Sequence, residues 1–424
     1  MIERLATPRL ACLGVAVTLL QMHGGAAQAQ ELNPSDAPES AGNRPQPGYD
    51  PLGIRVGGAT VYPSIALTSA YDSNVLAAST DAQSDLALTL TPAIRVNAEH
   101  PNRTLGLNAY ARLRRYTELH RQNDEQYFAS ALARQNIGSS GTVEANASWS
   151  LTSPSRGTYE NSLQNGDPLR ETRLTAKTAG TYRFNRLKLR AQVTGEKFNY
   201  DDVTLDDGTV IDQTYRNGYR IGGSLEAYYA LGSRFSLVVQ GAVNEFDYKD
   251  KDPARNRDAR GTWITAGGLY EVTSLFNVQL GIGHRKHDFD NPLFEDISGL
   301  AVNGKLRWYP TPLVSVRLDL EQATETSSYD LVSAVNVSSA VLQTDYELRR
   351  NNVVTARLEY SHENYGGIDT NSNFMSASLQ SNWKLNRWMR VTGSLAYDRR
   401  TSADRLAIPE FDAFRGTLGV TLSR

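Results

Sequence analysis

The chain predicts an all-β fold: a transmembrane, antiparallel, up-and-down β-barrel of about eighteen strands. Three observations carry that prediction. The first is alternation. In the hairpin formed by 174–182 and 187–195, Leu187, Leu189, Ala191 and Val193 alternate with Lys188, Arg190, Gln192 and Thr194. A strand sends successive side chains to opposite faces, so this arm has one apolar face and one charged face. The second is recurrence: a soluble sandwich uses such a strand once or twice, but here the unit returns to the end of the chain. The third is parity, because short and long connections take turns along the sequence. A soluble multi-sheet protein predicts no such parity, whereas a barrel with short periplasmic turns and longer outer loops requires it.

Composition agrees with that reading by exclusion. The 424 residues carry a net charge of -2 and a pI near 6.3, against the strongly basic balance of a nucleic-acid binder. Mean hydropathy is -0.44, and no run approaches the ~18 apolar residues of a spanning helix. Alternating strands average to low hydropathy, so this excludes a helical membrane protein and leaves the barrel untouched. Tyr, at 21 residues, outnumbers Phe at 11 and Trp at 5. Its apolar ring and polar tip suit both an interface girdle and a wet lumen.

Taken in order, residues 1–29 read as a secretory signal peptide. Arg4 and Arg9 form the basic region, 11–20 the apolar region, and Ala27-Gln28-Ala29 the cleavage motif. Cys12, the only cysteine, precedes the apolar run and falls within the segment removed. The mature chain is therefore expected to lack disulfide and thiolate chemistry. Residues 30–54, rich in Pro, Gly, Ser and Asn in their first part, read as a disordered periplasmic leader, and 55–424 as the barrel. The first strand lies around 61–71. Leu86, Leu88, Leu90, Ile94 and Val96 mark the second, and Leu105, Leu107, Ala109, Ala111 and Leu113 the third. Val143 to Leu151, Val278 to Ile282 and Val314 to Leu320 repeat the pattern, and Phe414, Leu418, Val420 and Leu422 close it. The fourth, tenth and sixteenth strands alternate less cleanly, which leaves sixteen strands as the alternative count. Short turns fall at His100-Pro101-Asn102, Asn185-Arg186, Gly232-Ser233-Arg234, Arg350-Asn351-Asn352 and Asn386-Arg387, among others. Longer polar segments between them include 72–84, 118–124, 153–170, 201–214, 247–260 and 400–412. The termini and short turns belong to the periplasm.

Placing the apolar face outward fixes what faces the lumen. The inward cations taken as the substrate path are Arg112, Arg114, Arg173, Lys177, Lys188, Arg190, Arg220, Arg307, Arg317 and Arg357. Arg95, Lys305, Arg390 and Arg415 share that face. Inward acids are fewer, led by Glu144, Glu196, Glu226, Asp319, Asp345 and Glu359, while Asp201, Asp202, Asp206, Asp207, Asp247 and Asp250 concentrate in outer loops. A cation-lined lumen lowers the energy of an anion in transit, and Arg forms bidentate contacts with carboxylates. The competing reading is cross-strand ion pairing that braces the wall without substrate preference. Tyr110, Tyr116, Tyr228 and Tyr309 also fall on the polar face.

Catalysis, metals and cofactors are not expected. His284 and His287, three apart, point to opposite faces of a regular strand. G-x-S-x-G, H-E-x-x-H and a phosphate-binding glycine loop are absent. Asp201-Asp202 and Asp206-Asp207 offer hard oxygen ligands but match no defined calcium loop.

Residues 51–75 resemble a known family. Pro51-Leu52-Gly53-Ile54-Arg55-Val56-Gly57 ahead of the first strand, Pro63 within it, and Tyr71-Asp72-Ser73-Asn74-Val75 at its outer end are similar to outer-membrane β-barrel porins encoded beside bacterial exopolysaccharide-synthesis genes. The resemblance implies a channel-like barrel that helps export a surface polysaccharide. One departure stands out: many such barrels end in an aromatic residue read by the barrel-assembly machinery, and this chain ends Leu422-Ser423-Arg424. The expected function is a passive conduit in the cell outer membrane for an anionic exopolysaccharide. The alternatives are a general diffusion porin for small solutes and a structural or adhesive barrel. Expected partners are outer-membrane lipid and lipopolysaccharide, the transported polysaccharide or solute, the assembly machinery and periplasmic export components, but not nucleic acid.

Overall fold

The computed structural model describes residues 40–325, 327–329, 332–404 and 408–424. The signal-peptide reading of 1–29 and the start of the leader lie outside the described residues. From Ala59 onward the chain forms strands β1 (Ala59–Asp72), β2 (Asp85–His100), β3 (Arg103–Tyr116), β4 (Asp124–Ile137), β5 (Gly141–Thr152) and β6 (Glu171–Phe184). They continue as β7 (Leu187–Tyr200), β8 (Gly218–Ala230), β9 (Phe235–Tyr248), β10 (Ala259–Thr273), β11 (Phe276–Phe289) and β12 (Ile297–Thr311). The last six are β13 (Val314–Glu325), β14 (Val335–Arg349), β15 (Asn352–Tyr365), β16 (Thr370–Lys384), β17 (Met389–Ser402) and β18 (Phe411–Ser423). Each pairs antiparallel with the next. β1 pairs with β18 from Ser64↔Ser423 to Asp72↔Arg415, which closes the barrel and removes its edges.

The count is therefore eighteen, and the sixteen-strand alternative falls. The three strands with weak alternation are full length. Phe128 and Leu132 in β4, Trp263 and Leu269 in β10, and Phe374 in β16 are apolar residues on lumen-facing positions. They blur the pattern without altering the pairing. The opening hairpin pairs Glu171↔Tyr200 through Phe184↔Leu187. At its turn Asn185 takes φ +48, a left-handed conformation that Asn tolerates because its short amide bonds locally.

The outward face is an apolar belt of large exposed side chains, among them Leu67, Leu88, Leu107, Val193, Ile221, Ile264 and Leu418. Tyr182, Phe184, Tyr229, Phe235, Trp308, Trp383 and Trp388 cluster towards the short-turn end of this belt, and Tyr71, Tyr219, Tyr360, Tyr397 and Phe414 towards the other. Two aromatic girdles flanking an apolar band are what two membrane–water interfaces demand.

Neighbouring backbones approach closely at β10 and β11. A Cβ on Gly267 would meet the Leu280 carbonyl at 1.9 Å, and one on Gly283 the Ile264 carbonyl at 1.8 Å. Only glycine allows that approach. Gly281 leaves room for Asn303, which crosses it to donate to Gln240 and Thr265, both at 3.0 Å.

Where composition suggested a disordered leader, residues 40–53 make specific contacts at the short-turn end. Ala41 N–H donates to Ser315 Oγ at 3.2 Å, Arg44 pairs with Glu347 at 3.1 Å, and Arg387 donates to the Pro47 carbonyl at 3.1 Å. Lys384 pairs with Asp50, and Ala41 is buried.

Candidate functional site

All ten cations singled out from the sequence occupy lumen-facing positions, but the barrel does not gather them in one place. Arg112 and Arg114 of β3, Arg307 of β12, Arg317 of β13 and Arg357 of β15 line an internal cavity of about 640 Å³. Arg173 and Lys177 of β6, Lys188 and Arg190 of β7, and Arg220 of β8 belong to another sector of wall, outside that lining. The leader lines one end of the cavity, through Gly42, Arg44, Tyr49 and Asp50.

Most of these cations have partners. Arg173 and Arg220 converge on Glu196 at 3.2 and 2.6 Å, and Arg173 also meets Glu171. Arg307 and Arg317 share Asp319 at 2.7 and 3.5 Å. Arg357 holds Glu359 at 2.8 Å and Arg114 holds Asp124 at 3.3 Å. Others are held by neutral groups. Arg112 donates to Gln126 at 3.1 Å, Arg190 to Gln192 at 3.2 Å, and the Lys188 ammonium lies 4.6 Å from the Tyr228 ring centroid. Lumen acids that the sequence reading omitted join this lattice: Asp72 and Asp398 meet Arg415, and Glu171, Asp124 and Glu363 each meet an arginine. The wall is thus a mesh of ion pairs with guanidinium edges, rather than a simple excess of positive charge.

One pair is deeply buried. Arg400 of β17 meets Glu363 of β15 in a fork, Nη1 to Oε2 at 2.6 Å and Nη2 to Oε1 at 3.0 Å. Tyr365 and Ser372 hydroxyls donate to the same carboxylate at 2.7 and 3.0 Å. The sequence reading missed this cluster because it began an outer loop at Arg400. Lumen parity continues through Asp398 and Arg400, and that was the available signal. His287 faces the lumen against Phe246 and Phe289 while His284 is exposed on the outer wall, so the two histidines stand on opposite faces.

The outer mouth is covered by loops. Segment 153–170 folds inward, burying Tyr159, Asn161 and Leu169. Its Tyr159 carbonyl accepts from Ser328 N–H at 2.9 Å, and Ser162 and Ser328 hydroxyls lie 3.0 Å apart. Gln164 donates to the Ala77 carbonyl, and Arg156 to Gln122 and the Gly166 carbonyl. Arg257 donates to the Ser327 and Tyr329 carbonyls at 3.2 and 2.9 Å. Tyr159, Val332, Val335, Val337, Tyr365 and Ile408 form one apolar cluster beneath. Burial pushes the Tyr329 phenol up to about 12 and pulls the Arg156 guanidinium down to about 10, so Arg156 stays charged at neutral pH. Burial opposes ionisation of Asp258, but hydrogen bonds from Lys251, the Tyr248 N–H and Asn256 hold its carboxyl below the usual range.

The family model described as "Putative beta-barrel porin 2" matches residues 46–424. The chain belongs to this porin family. As a porin with an apolar outer belt and two girdles, it resides in the outer membrane. No curated protein matches the chain. Among solved structures, a mutant of the ferric enterobactin receptor of Pseudomonas aeruginosa aligns at 9% identity and TM-score 0.47, over 88% of this chain and 81% of that one. Outer membrane protein OpdK of the same organism aligns at 14% identity and TM-score 0.41, over 86% and 99%. The siderophore receptor PirA, also from Pseudomonas aeruginosa, aligns at 10% identity and TM-score 0.43, over 86% and 80%.

Proposed function

We propose that this porin is a passive channel for acidic saccharides, and that its cellular cargo is an anionic exopolysaccharide on its way out. The observation that carries the reading is how the cavity is lined. The β16 to β18 sector presents Ser376, Ser378, Gln380, Asn382, Thr392 and Thr417, a band of hydroxyls and amides. Arg95 and Arg112 flank that band on the β2–β3 side, and Arg317 and Arg357 flank it on the β13–β15 side. Hydroxyls and amides exchange hydrogen bonds with sugar hydroxyls, and guanidinium forks match uronate carboxylates. The resemblance at 51–75 supports polymer export over other acidic cargo. The energy for export comes from synthesis or from inner-membrane partners.

A second reading, a diffusion porin for small anionic solutes, is favoured by the inward fold of 153–170. The two readings differ in whether that loop swings out. Ser162→Cys with Ser328→Cys places two thiols where hydroxyls lie 3.0 Å apart, in a chain whose only other cysteine is Cys12. In planar bilayers, block by polygalacturonate but not by dextran supports an acidic-saccharide channel. Loss of that block on oxidation, with small-ion conductance intact, marks polymer passage. Block unchanged on oxidation leaves the small-solute reading, and equal response to dextran removes both.

A further inference from the structure

The two ends of the barrel carry opposite charge. At the end of the short turns, Arg103, Arg183, Arg186, Arg234, Arg349 and Arg350 are all exposed, and none forms an ion pair among the described residues. They begin β3, flank the β6–β7 turn, precede β9 and sit at the β14–β15 turn, so they surround the mouth rather than mark one side of it. Acids at this rim are few: Glu99 is exposed and Glu271 half-buried. At the opposite end Asp201, Asp206, Asp207, Asp250 and Asp252 stand in exposed loops, where Arg121 and Lys251 neutralise only some of the loop charge. Positive charge continues inward from the rim: Arg387 and Arg390 line the cavity with Arg95.

We propose that the periplasmic rim is a capture surface for a polyanion, the acidic polysaccharide chain itself, which docks on the rim arginines before it threads the lumen. This rests on the acidic-saccharide reading above and adds a direction to it. A ring of unpaired cations around an aperture attracts an anionic chain from the side it faces and raises its local concentration there. The acidic outer loops do the reverse, repelling a chain that approaches from outside and favouring its release on that side. The ring form fits a ligand that passes along the barrel axis, since a protein partner docked on one side would need charge on that side alone. Exposed arginines act within a Debye length of about 8 Å at physiological salt, so capture weakens as salt rises.

The test is one-sided block in planar bilayers, with channel orientation fixed by a thiol label on Asp252→Cys. Polygalacturonate on the short-turn side is expected to block at a concentration about tenfold lower than on the loop side. The variant Arg183→Gln/Arg186→Gln/Arg349→Gln/Arg350→Gln is expected to abolish that difference, leaving open conductance and loop-side block unchanged. Equal block from both sides of the wild type, or asymmetry that survives the four substitutions, overturns the proposal while leaving the cargo reading intact. Fluorescent polygalacturonate that binds the wild type, fails to bind the variant and yet blocks neither would uphold the rim and remove the cargo reading. Binding unchanged in the variant, together with loss of its stabilisation by phosphatidylglycerol vesicles, would assign the rim to inner-leaflet headgroups and overturn the proposal.

Discussion

Arg400 and Glu363 show what a buried charge requires in a barrel lumen. Both side chains are almost fully enclosed, so each has lost hydration that only its partner and the Tyr365 and Ser372 hydroxyls replace. Removing one partner leaves the other charge buried and uncompensated. Arg400→Leu is expected to cost about 3–5 kcal/mol of stability, read as a lowered urea midpoint of the folded, heat-modifiable band. Glu363→Leu/Arg400→Leu removes both charges and is expected to recover much of that loss; a double variant as unstable as the single one would show that the pair is not the source. Similar bookkeeping applies to Glu196, which serves Arg173 and Arg220 together. There Glu196→Gln would take a shared carboxylate from both guanidinium groups, of which Arg173 keeps Glu171.

At the scale of an element, the leader and the third outer loop contribute most beyond the strand pattern. Neither has a period that a sequence reading could follow. Residues 40–53 are short and polar, and they are held by contacts with β13 to β17 that lie far away in the chain, such as Arg44 with Glu347 and Asp50 with Lys384. If this strap narrows the periplasmic mouth, Arg44→Ala/Lys384→Ala should raise single-channel conductance by releasing it. Unchanged conductance, with the strap shown mobile by a label at Gln46→Cys, would mean that it does not limit flow. The glycines of β10 and β11 belong to this scale too. Gly267 and Gly283 stood in the sequence as ordinary strand residues, and only the close approach of neighbouring carbonyls gives them a reason.

For the whole molecule, the net effect of the wall charges decides selectivity. Ion pairs such as Arg307–Asp319 and Arg357–Glu359 cancel at long range, but a passing anion still meets guanidinium groups along the lumen wall. Moderate anion selectivity is therefore expected, measured as a reversal potential across a KCl gradient. Arg112→Gln/Arg317→Gln/Arg357→Gln should move it towards cations, because three lumen cations are lost, Glu359 is left without Arg357, and Asp319 keeps only Arg307 of its two arginines. A reversal potential that does not move would place the limiting charge elsewhere, in the β6 to β8 sector with Lys177 and Lys188 or at the rim.

The sequence by itself determined the barrel and the face on which each strand residue lies. Leu187, Leu189 and Val193 alternate with Lys188 and Arg190, and a period of two in a closed antiparallel sheet leaves no other arrangement. It also placed all ten lumen cations on the correct face. Tertiary structure decided which of them meet in the cavity and which are tied to a carboxylate. It decided, too, that 153–170 folds in over one end and that 40–53 lines the cavity at the other. The reason is physical: facing depends on neighbours one and two residues away, whereas pairing depends on register across strands and on loops whose folding is set by distant contacts. A hairpin such as β6–β7 reveals its two faces locally. That Arg173 of β6 and Arg220 of β8 share Glu196 of β7 emerges only when three strands are laid side by side.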